Sequence, residues 1–343
     1  MKNMKKWMIY GANGYSGKLI AEQAIKQGLK PIVAGRNKAS IEAISEQLDC
    51  QHRVFDLSDN SIAQYLDDIS VVIHCAGPFS QTAEPMIKAC LQSKTHYLDI
   101  TGEISVFELA KSYDQQAKGA GVVLCPGVGF DVIPTDCLAS QLKELMPDAS
   151  HLTLGFDSKS GFSPGTAKTS VEGLASGGSV RKDGEIIQVP LAAKTRKIDF
   201  GNGEKLAMTI PWGDVSTAHF TTGIPNIEVY IPASPNLVKK LKRMNYLRWF
   251  LGMGFVQNFM KKRIDKSVKG PNEEQRSKLK TYLWGEVKNA KGEVKELRLV
   301  TSNGYTLTVT GGLKMVEHTL KTEKAGYFTP STLVNNQLLT EIE

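Results

Sequence analysis

Cysteine is scarce in this 343-residue chain. Five are present, Cys50, Cys75, Cys90, Cys125 and Cys137, and no two stand in a Cys-x-x-Cys pair. An odd number without that spacing argues against a disulfide framework and a zinc site, and it fits a reducing cytosol. No metal is expected. Runs of five or more Lys and Arg are missing too, and no nucleic-acid module can be read, so nucleic acid is not an expected partner despite the net charge of +7. The opening Met1-Lys-Asn-Met-Lys-Lys6 imitates the basic part of a signal peptide. The apolar stretch behind it is broken by Gly11 and Gly14, which leaves no room for a signal core and predicts a cytoplasmic location. Several catalytic signatures are absent: His-Glu-x-x-His, a Walker lysine, and a tyrosine with lysine four residues later. There is no internal repeat and no low-complexity linker.

What remains is an ordinary globular composition, 41% hydrophobic and 22% charged, at a length that suggests two domains. Strand and helix signals alternate through the first part. Trp7–Tyr10, Pro31–Ala34, His52–Phe55, Val71–Cys75, Tyr97–Ile100 and Val122–Leu124 read as strands. Helical stretches at Gly14–Gln27, Lys38–Leu48, Ile62–Leu66, Ala83–Gln92 and Val106–Lys118 separate them. That rhythm predicts an α/β fold: a doubly wound parallel sheet with right-handed crossovers. After Pro134 it changes. A helix over Thr135–Leu145 leads to a strand at Leu152–Asp157, then to a Gly/Ser/Thr-rich stretch from Ser160 to Ser179. Antiparallel strands are expected over Glu185–Pro232, at Trp284–Val287 with Val294–Val300, and at Tyr305–Thr310, with a helix over Thr332–Ile342. The second domain is therefore expected to be sheet-rich.

Gly11-Ala-Asn-Gly14-Tyr-Ser-Gly17 follows the first strand and opens the first helix. A sharp turn at Gly11 favours a residue without Cβ, a side chain at Gly14 would block a pyrophosphate, and Gly17 lets helix and strand pack closely. The helix N-terminus offers N–H groups and partial positive charge to phosphates. Gly11, Asn13, Gly14, Tyr15, Ser16 and Gly17 are thus candidate dinucleotide contacts. The end of the second strand selects the nucleotide. An NAD site wants a carboxylate there for the adenosine ribose, whereas this chain has Ala34-Gly35-Arg36-Asn37 and no acid until Glu42. The Arg36 guanidinium would pair with a 2′-phosphate, so the expected cofactor is NADP, with Arg36 and Asn37 beside it. Asp56 and Leu57 end the third strand, where adenine sits. Cys75, Ala76, Gly77, Pro78 and Phe79 end the fourth, where small residues admit the nicotinamide half.

One segment stands apart. Lys239–Lys266 carries Tyr246, Leu247, Trp249, Phe250, Phe255 and Phe259 between basic clusters, interrupted by Arg248, Gln257 and Asn258. Its apolar part is too short to cross a bilayer. Three readings stay open: a helix lying on a membrane surface, a cover over a greasy pocket, or a helix packed on the second domain or in a homodimer.

Four further stretches carry a family resemblance: Cys75-Ala-Gly-Pro-Phe79, Tyr97-Leu-Asp-Ile-Thr-Gly-Glu103, Pro126-Gly-Val-Gly-Phe-Asp-Val-Ile-Pro-Thr-Asp136 and Gly165-Thr166. With the glycine loop, they resemble the saccharopine dehydrogenase-like oxidoreductases, and Gly129–Asp136 looks most like the branch with the trans-acting enoyl reductases. The resemblance covers the first half well and the second thinly. It implies a Rossmann domain over residues 1–134, an inserted α+β substrate and dimerisation domain over 135–317, and a segment 318–343 returning to the first. It also implies NADP-dependent redox chemistry in the cleft between domains. It does not imply saccharopine as substrate, because no clear arginine cluster awaits a dicarboxylic amino acid. The small-molecule substrate is expected to be hydrophobic and lipid-like, an enoyl, keto or imino compound. Tyr97, Glu103 and Asp131 are candidate proton donors, although Asp131 could as well cap the following helix. Thr101 is a candidate cofactor contact, and Phe130, Gly165 and Thr166 are candidate substrate contacts. The alternative is a noncatalytic NADP(H)-binding protein that senses redox state or docks to a membrane or partner.

Overall fold

The computed structural model describes residues 5–342 apart from 60, 160–170, 172, 174 and 268–278. The chain forms two compact units, Met1–Ile133 with Tyr305–Glu343, and Pro134–Gly304.

The first unit opens β1 (Lys6–Tyr10), α1 (Tyr15–Lys26), β2 (Ile32–Gly35), α2 (Lys38–Leu48), β3 (His52–Val54), β4 (Ile69–His74), α3 (Phe79–Ser93), β5 (His96–Asp99), α4 (Ile104–Ser112), α5 (Asp114–Ala120) and β6 (Val123–Cys125). The sheet order is β6-β5-β4-β1-β2-β3, all parallel, and the short strand Gly326–Tyr327 adds itself in parallel beyond β6. This is the expected doubly wound sheet. Its central strands read as near-continuous apolar runs because helices cover both faces: Trp7 to Tyr10 and Val71 to His74 are all buried. α1 lays Ile20, Ala21 and Ala24 on the sheet.

Three local expectations fail here, at Val106–Lys118, Tyr305–Thr310 and Thr332–Ile342. The single helix expected over Val106–Lys118 is two, α4 and α5, broken at Tyr113. The short helix expected at Ile62–Leu66 is present as the 3₁₀ helix Ile62–Tyr65. Tyr305–Thr310, expected as a strand, opens the helix Gly304–Thr319. Tyr305, Val309 and the threonines around them have low helix propensity, and Leu307 alternates with them in a strand pattern. Packing overrides that preference, since this helix is buried on nearly every side. Gly311 and Gly312 let it come close: a Cβ on Gly312 would lie 3.0 Å from Ile73 Cδ1 on β4, and one on Gly311 2.6 Å from Ile133 Cδ1. The return to the first unit therefore begins at Tyr305, where the sequence suggested 318. The expected helix Thr332–Ile342 is two short ones, Pro330–Leu333 and Leu338–Ile342.

The second unit follows α6 (Ile133–Leu145) with an eight-stranded mixed sheet. Its strands are β7 (Ala149–Ser158), β8 (Gly178–Lys182), β9 (Glu185–Val189), β10 (Thr195–Asp199), β11 (Glu204–Ile210), β12 (Asn226–Pro232), β13 (Thr281–Asn289) and β14 (Val294–Thr301). The main order is β10-β11-β12-β7-β13-β14, with β12 and β7 parallel and the hairpin β8–β9 attached to β12. A helix, Asp214–Thr222, interrupts the run expected to be all strands. The sheet's largest buried side chain is Trp284 on β13, clustered with Ile198, Phe200, Ala207 and Tyr230. Gly155 on β7 stands in register between Tyr230 and Trp284, and a Cβ there would lie 3.0 Å from the Phe200 ring. The Arg196 guanidinium lies over the Trp284 ring at 4.9 Å and grips Glu286 with two hydrogen bonds of 3.0 and 2.9 Å. Removing the indole leaves both a cavity and an unstacked arginine. Trp284→Ala should cost the second unit about 3–5 kcal/mol, read as a lowered urea midpoint for its transition.

Candidate dinucleotide site

The loops that follow β1, β4, β5 and β6 gather at the C-terminal edge of the parallel sheet. Between β1 and β4 the strand order reverses direction, the position where doubly wound sheets bind ligands. Gly11 has a φ of +85°, and a Cβ on it would lie 2.7 Å from Ala76 N. The glycine loop and the Cys75–Phe79 loop are thus pressed together backbone to backbone. The Gly11 N–H donates to Ala34 O at 2.7 Å, and Cys75 N–H donates to Tyr10 O at 2.7 Å. A Cβ on Gly17 would collide with Gly11 O, whereas one on Gly14 would meet only Gly11 O at 3.2 Å and Cys75 O at 3.9 Å. Gly14 therefore keeps a space open where Gly11 and Gly17 close theirs. α1 begins there with no side-chain cap and no acid in its first turn. These are the terms a pyrophosphate needs. Asn13 is exposed, and Tyr15 and Ser16 are half-buried. The Tyr15 ring meets Tyr305 edge-on at 5.0 Å, which brings the misread helix to the loop.

Arg36 is exposed just past β2 and makes no hydrogen bond or ion pair with any described residue. Its neighbour Asn37 caps α2, accepting from Ser40 N–H at 2.9 Å. Asp56 is exposed and accepts from both the N–H and the hydroxyl of Ser58, which hold its carboxyl below the usual range, with Arg36 adding to the effect. Leu57 is half-buried. The glycine cradle and an unengaged guanidinium fit a dinucleotide with a 2′-phosphate.

The proton-donor candidates separate. Tyr97 is fully buried, and its hydroxyl donates to Asp99 at 2.7 Å. Burial and Asp99 push that phenol well above its ordinary range. It is a structural strut, and the expectation that it gives up a proton fails. Glu103 accepts from Phe79 N–H at 3.0 Å and Ser80 N–H at 2.8 Å, so its carboxylate caps α3 from outside the helix. It positions the Cys75–Phe79 loop. Thr101 is buried, donating its N–H to Asp99 and accepting from Glu103 N–H. Asp131 is different. It is half-buried, its carboxyl lies where a Cβ on Gly102 would come within 2.9 Å of Oδ2, and desolvation pushes it up to about 7. Next to it, Phe130 N–H donates to Thr308 Oγ1 at 3.0 Å. Gly165 and Thr166 lie outside the described residues.

Two residues here were missed. His74 ends β4 fully buried, and burial pushes its imidazole down to about 3, so it is neutral. Its Nε2 lies 3.0 Å from Thr82 Oγ1, which donates to Ala76 O at 2.7 Å, bracing the same loop. Asp99 ends β5 and accepts from Tyr97 hydroxyl, Thr101 N–H and Gly127 N–H, the last at 2.8 Å. It ties the ends of β5 and β6 together. An acid closing the strand His96–Asp99, with Thr101 two residues on, was the available signal.

Two expectations follow from these groups. Arg36→Ala should weaken NADPH binding by about 1.5–3 kcal/mol and leave NADH binding nearly unchanged, as measured by nucleotide fluorescence titration. Desolvation pushes Asp99 up from 3.8 to about 6 in spite of its three donors. The folded state then holds this proton more tightly than the unfolded chain, so the group's stabilisation is full at low pH and is lost as pH rises through about 6. Asp99→Asn can keep the two N–H donors on its oxygen. It should remove that slope from urea midpoints taken across the window.

Comparison with known proteins agrees with this geometry. Residues 7–125 match the family described as the saccharopine dehydrogenase NADP binding domain. A saccharopine dehydrogenase-like oxidoreductase of Homo sapiens is 27% identical over 150 residues, 38% of this chain and 35% of its own length. A lipid droplet localized protein of Caenorhabditis elegans is 27% identical over 202 residues, 51% and 47% respectively. A Mycobacterium tuberculosis protein named as a trans-acting enoyl reductase is 28% identical over 185 residues, 49% and 44%. The aligned part spans less than half of each relative's length. Among solved structures, saccharopine dehydrogenase (L-Glu forming) of Saccharomyces cerevisiae shares the fold, with a TM-score of 0.62 at 13% identity over 98% of this chain and 96% of that one. Residues 7–125 match the saccharopine dehydrogenase NADP binding domain, and the chain is similar to saccharopine dehydrogenase-like proteins over part of their length.

Proposed function

We propose that this chain is an NADP(H)-dependent reductase of a hydrophobic enoyl, keto or imino compound. The observation that carries the proposal is the Asp131 carboxyl, raised to about 7 beside Gly102 on the loop after β6. A carboxyl with that pKa is substantially protonated at neutral pH and is matched to proton delivery. When bound, the dihydronicotinamide supplies hydride. The chain's own residues do the rest. The glycine loop and α1 hold the pyrophosphate, Arg36 takes the 2′-phosphate, and Asp56 and Leu57 border the adenosine. The Cys75–Phe79 loop, braced by His74, Thr82 and Glu103, receives the nicotinamide half. Asp131 gives its proton to the acceptor, and Phe130 beside it faces the substrate. Tyr97 and Glu103 take no part in proton transfer in this scheme.

The relatives named for a lipid droplet and for enoyl reduction support a greasy acceptor. The second reading, a noncatalytic NADP(H)-binding protein that docks elsewhere, is favoured by the exposed aromatics of Tyr246–Phe259. Stopped-flow loss of NADPH absorbance against enoyl, keto and imino compounds separates the two. If no compound oxidises bound NADPH, the noncatalytic reading stands. For a reductase, only protonated Asp131 is active, so kcat should fall as pH rises above about 7. Asp131→Asn should lower kcat about 10²-fold and abolish that pH limb, with NADPH affinity unchanged.

A further inference from the structure

We infer that the segment from Pro235 to Ser267 docks this chain on the interfacial layer of an anionic phospholipid membrane. The inference concerns the second unit alone and holds whether or not the first unit catalyses a reaction.

The segment is built inside out. Its first helix, Pro235–Met244, lays Val238 and Leu241 on the buried cluster of Ala192 and Met208, which fixes it to the unit. Beyond that helix, polar side chains do the fastening. Asn245 bonds the Leu191 backbone in both directions, at 2.8 and 3.2 Å. Arg248 donates to Ala175 O and Ser176 O, and Gln257 donates to Val171 O and Leu251 O. The large apolar side chains point the other way: Tyr246 is 84% exposed, Trp249 69%, Phe255 66%, Phe259 62% and Leu247 55%. An amphipathic helix serving its own core shows the reverse arrangement. A pocket cover would bury these rings.

Charge selects the occupant. Between Val229 and Ile264 the sequence holds eight Lys or Arg and no Asp or Glu. A second copy of the chain would bring the same sign to the contact, whereas an anionic lipid surface is complementary. Lys239, Lys240 and Arg243 line an open hollow of about 460 Å³ together with Leu247, which puts cations for a headgroup phosphate next to apolar surface. Exposed tryptophan and tyrosine suit the level of the headgroups. The aliphatic Leu237 and Leu247, both exposed, favour acyl chains over stacked nucleobases. No described helix is long and apolar enough to cross a membrane, and Gly252 and the 3₁₀ turn Asn245–Leu247 divide the segment, so it lies on the surface.

The test sediments the full-length protein with vesicles of phosphatidylcholine, with and without phosphatidylglycerol, and with single-stranded RNA as competitor. Wild type should partition at least about tenfold more strongly onto the anionic vesicles, and added salt should weaken the binding. Trp249→Ser/Phe255→Ser should lose about tenfold on those vesicles with an unchanged melting temperature, since both rings face solvent. Lys239→Glu/Lys240→Glu/Arg243→Glu should abolish the preference for anionic lipid. Binding should also blue-shift the tryptophan emission of wild type. Trp249→Phe should lose that shift but keep sedimenting, because Trp7 and Trp284 are buried and the half-buried Trp212 packs on Phe156, outside the segment. Equal sedimentation of wild type and the serine variant overturns the inference. So does retention by RNA with no vesicle binding, or a dimer that the serine substitutions dissolve.

Discussion

Gly11 is held at a φ of +85°, with its α-carbon so close to the β4 loop that a single added carbon would lie 2.7 Å from Ala76 N. Its N–H is bonded to β2, and the strand that precedes it is bonded through Tyr10 O to Cys75. Three strand ends are therefore stitched at one backbone crossing. An alanine there would need the left-handed region and would have to displace backbone, which no rotamer change can relieve. The direction of α1, the open space over Gly14 and the path of Cys75–Phe79 all depend on this crossing. The reach from Arg36 to the nicotinamide end of the site depends on it too, because both loops take their bearings from the same contact.

The helix N-termini along this edge are treated differently, and the difference shows where negative charge is wanted. α2 is capped by Asn37, and α3 by the Glu103 carboxylate reaching over from the next loop. α1 has neither a side-chain cap nor an acid in its first turn. Each helix carries about half a positive charge at its N-terminus. At α3 that field is neutralised and used to hold a loop, and at α1 it is left facing the site.

The glycine loop, Arg36 and the parallel order were legible because each follows from local chemistry: a turn that excludes Cβ, a missing acid, and alternating periods. The helix Gly304–Thr319 was not. Its alternation of threonine with Tyr305, Leu307 and Val309 is a strand pattern, and only burial against Ile73, Ile133 and Ile342 makes a helix of it. Its contribution to the site, Tyr305 on Tyr15 and Thr308 under Phe130, was hidden with it. Tyr97 misled for a related reason. A tyrosine at a strand end reads as a donor facing the site, and nothing in the sequence says that its hydroxyl turns back to Asp99. In the segment Lys239–Lys266 the sequence placed the aromatics and the basic clusters. Which face they occupy depends on backbone partners of Asn245, Arg248 and Gln257 that lie up to 86 residues away.

Three aspartates along this edge show how environment divides one side-chain type into separate roles. Asp56 stands in solvent, and two hydrogen bonds from Ser58 keep it a carboxylate, so it can accept from a ribose or adenine without competing for protons. Asp99 is fully enclosed but meets three donors, and the balance leaves it near 6, charged at neutral pH and engaged on every side. Asp131 has desolvation as the cause of its shift, and it rises to about 7. Its carboxyl is therefore the one of the three whose proton is available at the pH where a reductase works. Gly102 leaves the room that carboxyl occupies: a Cβ at that position would lie 2.9 Å from Asp131 Oδ2.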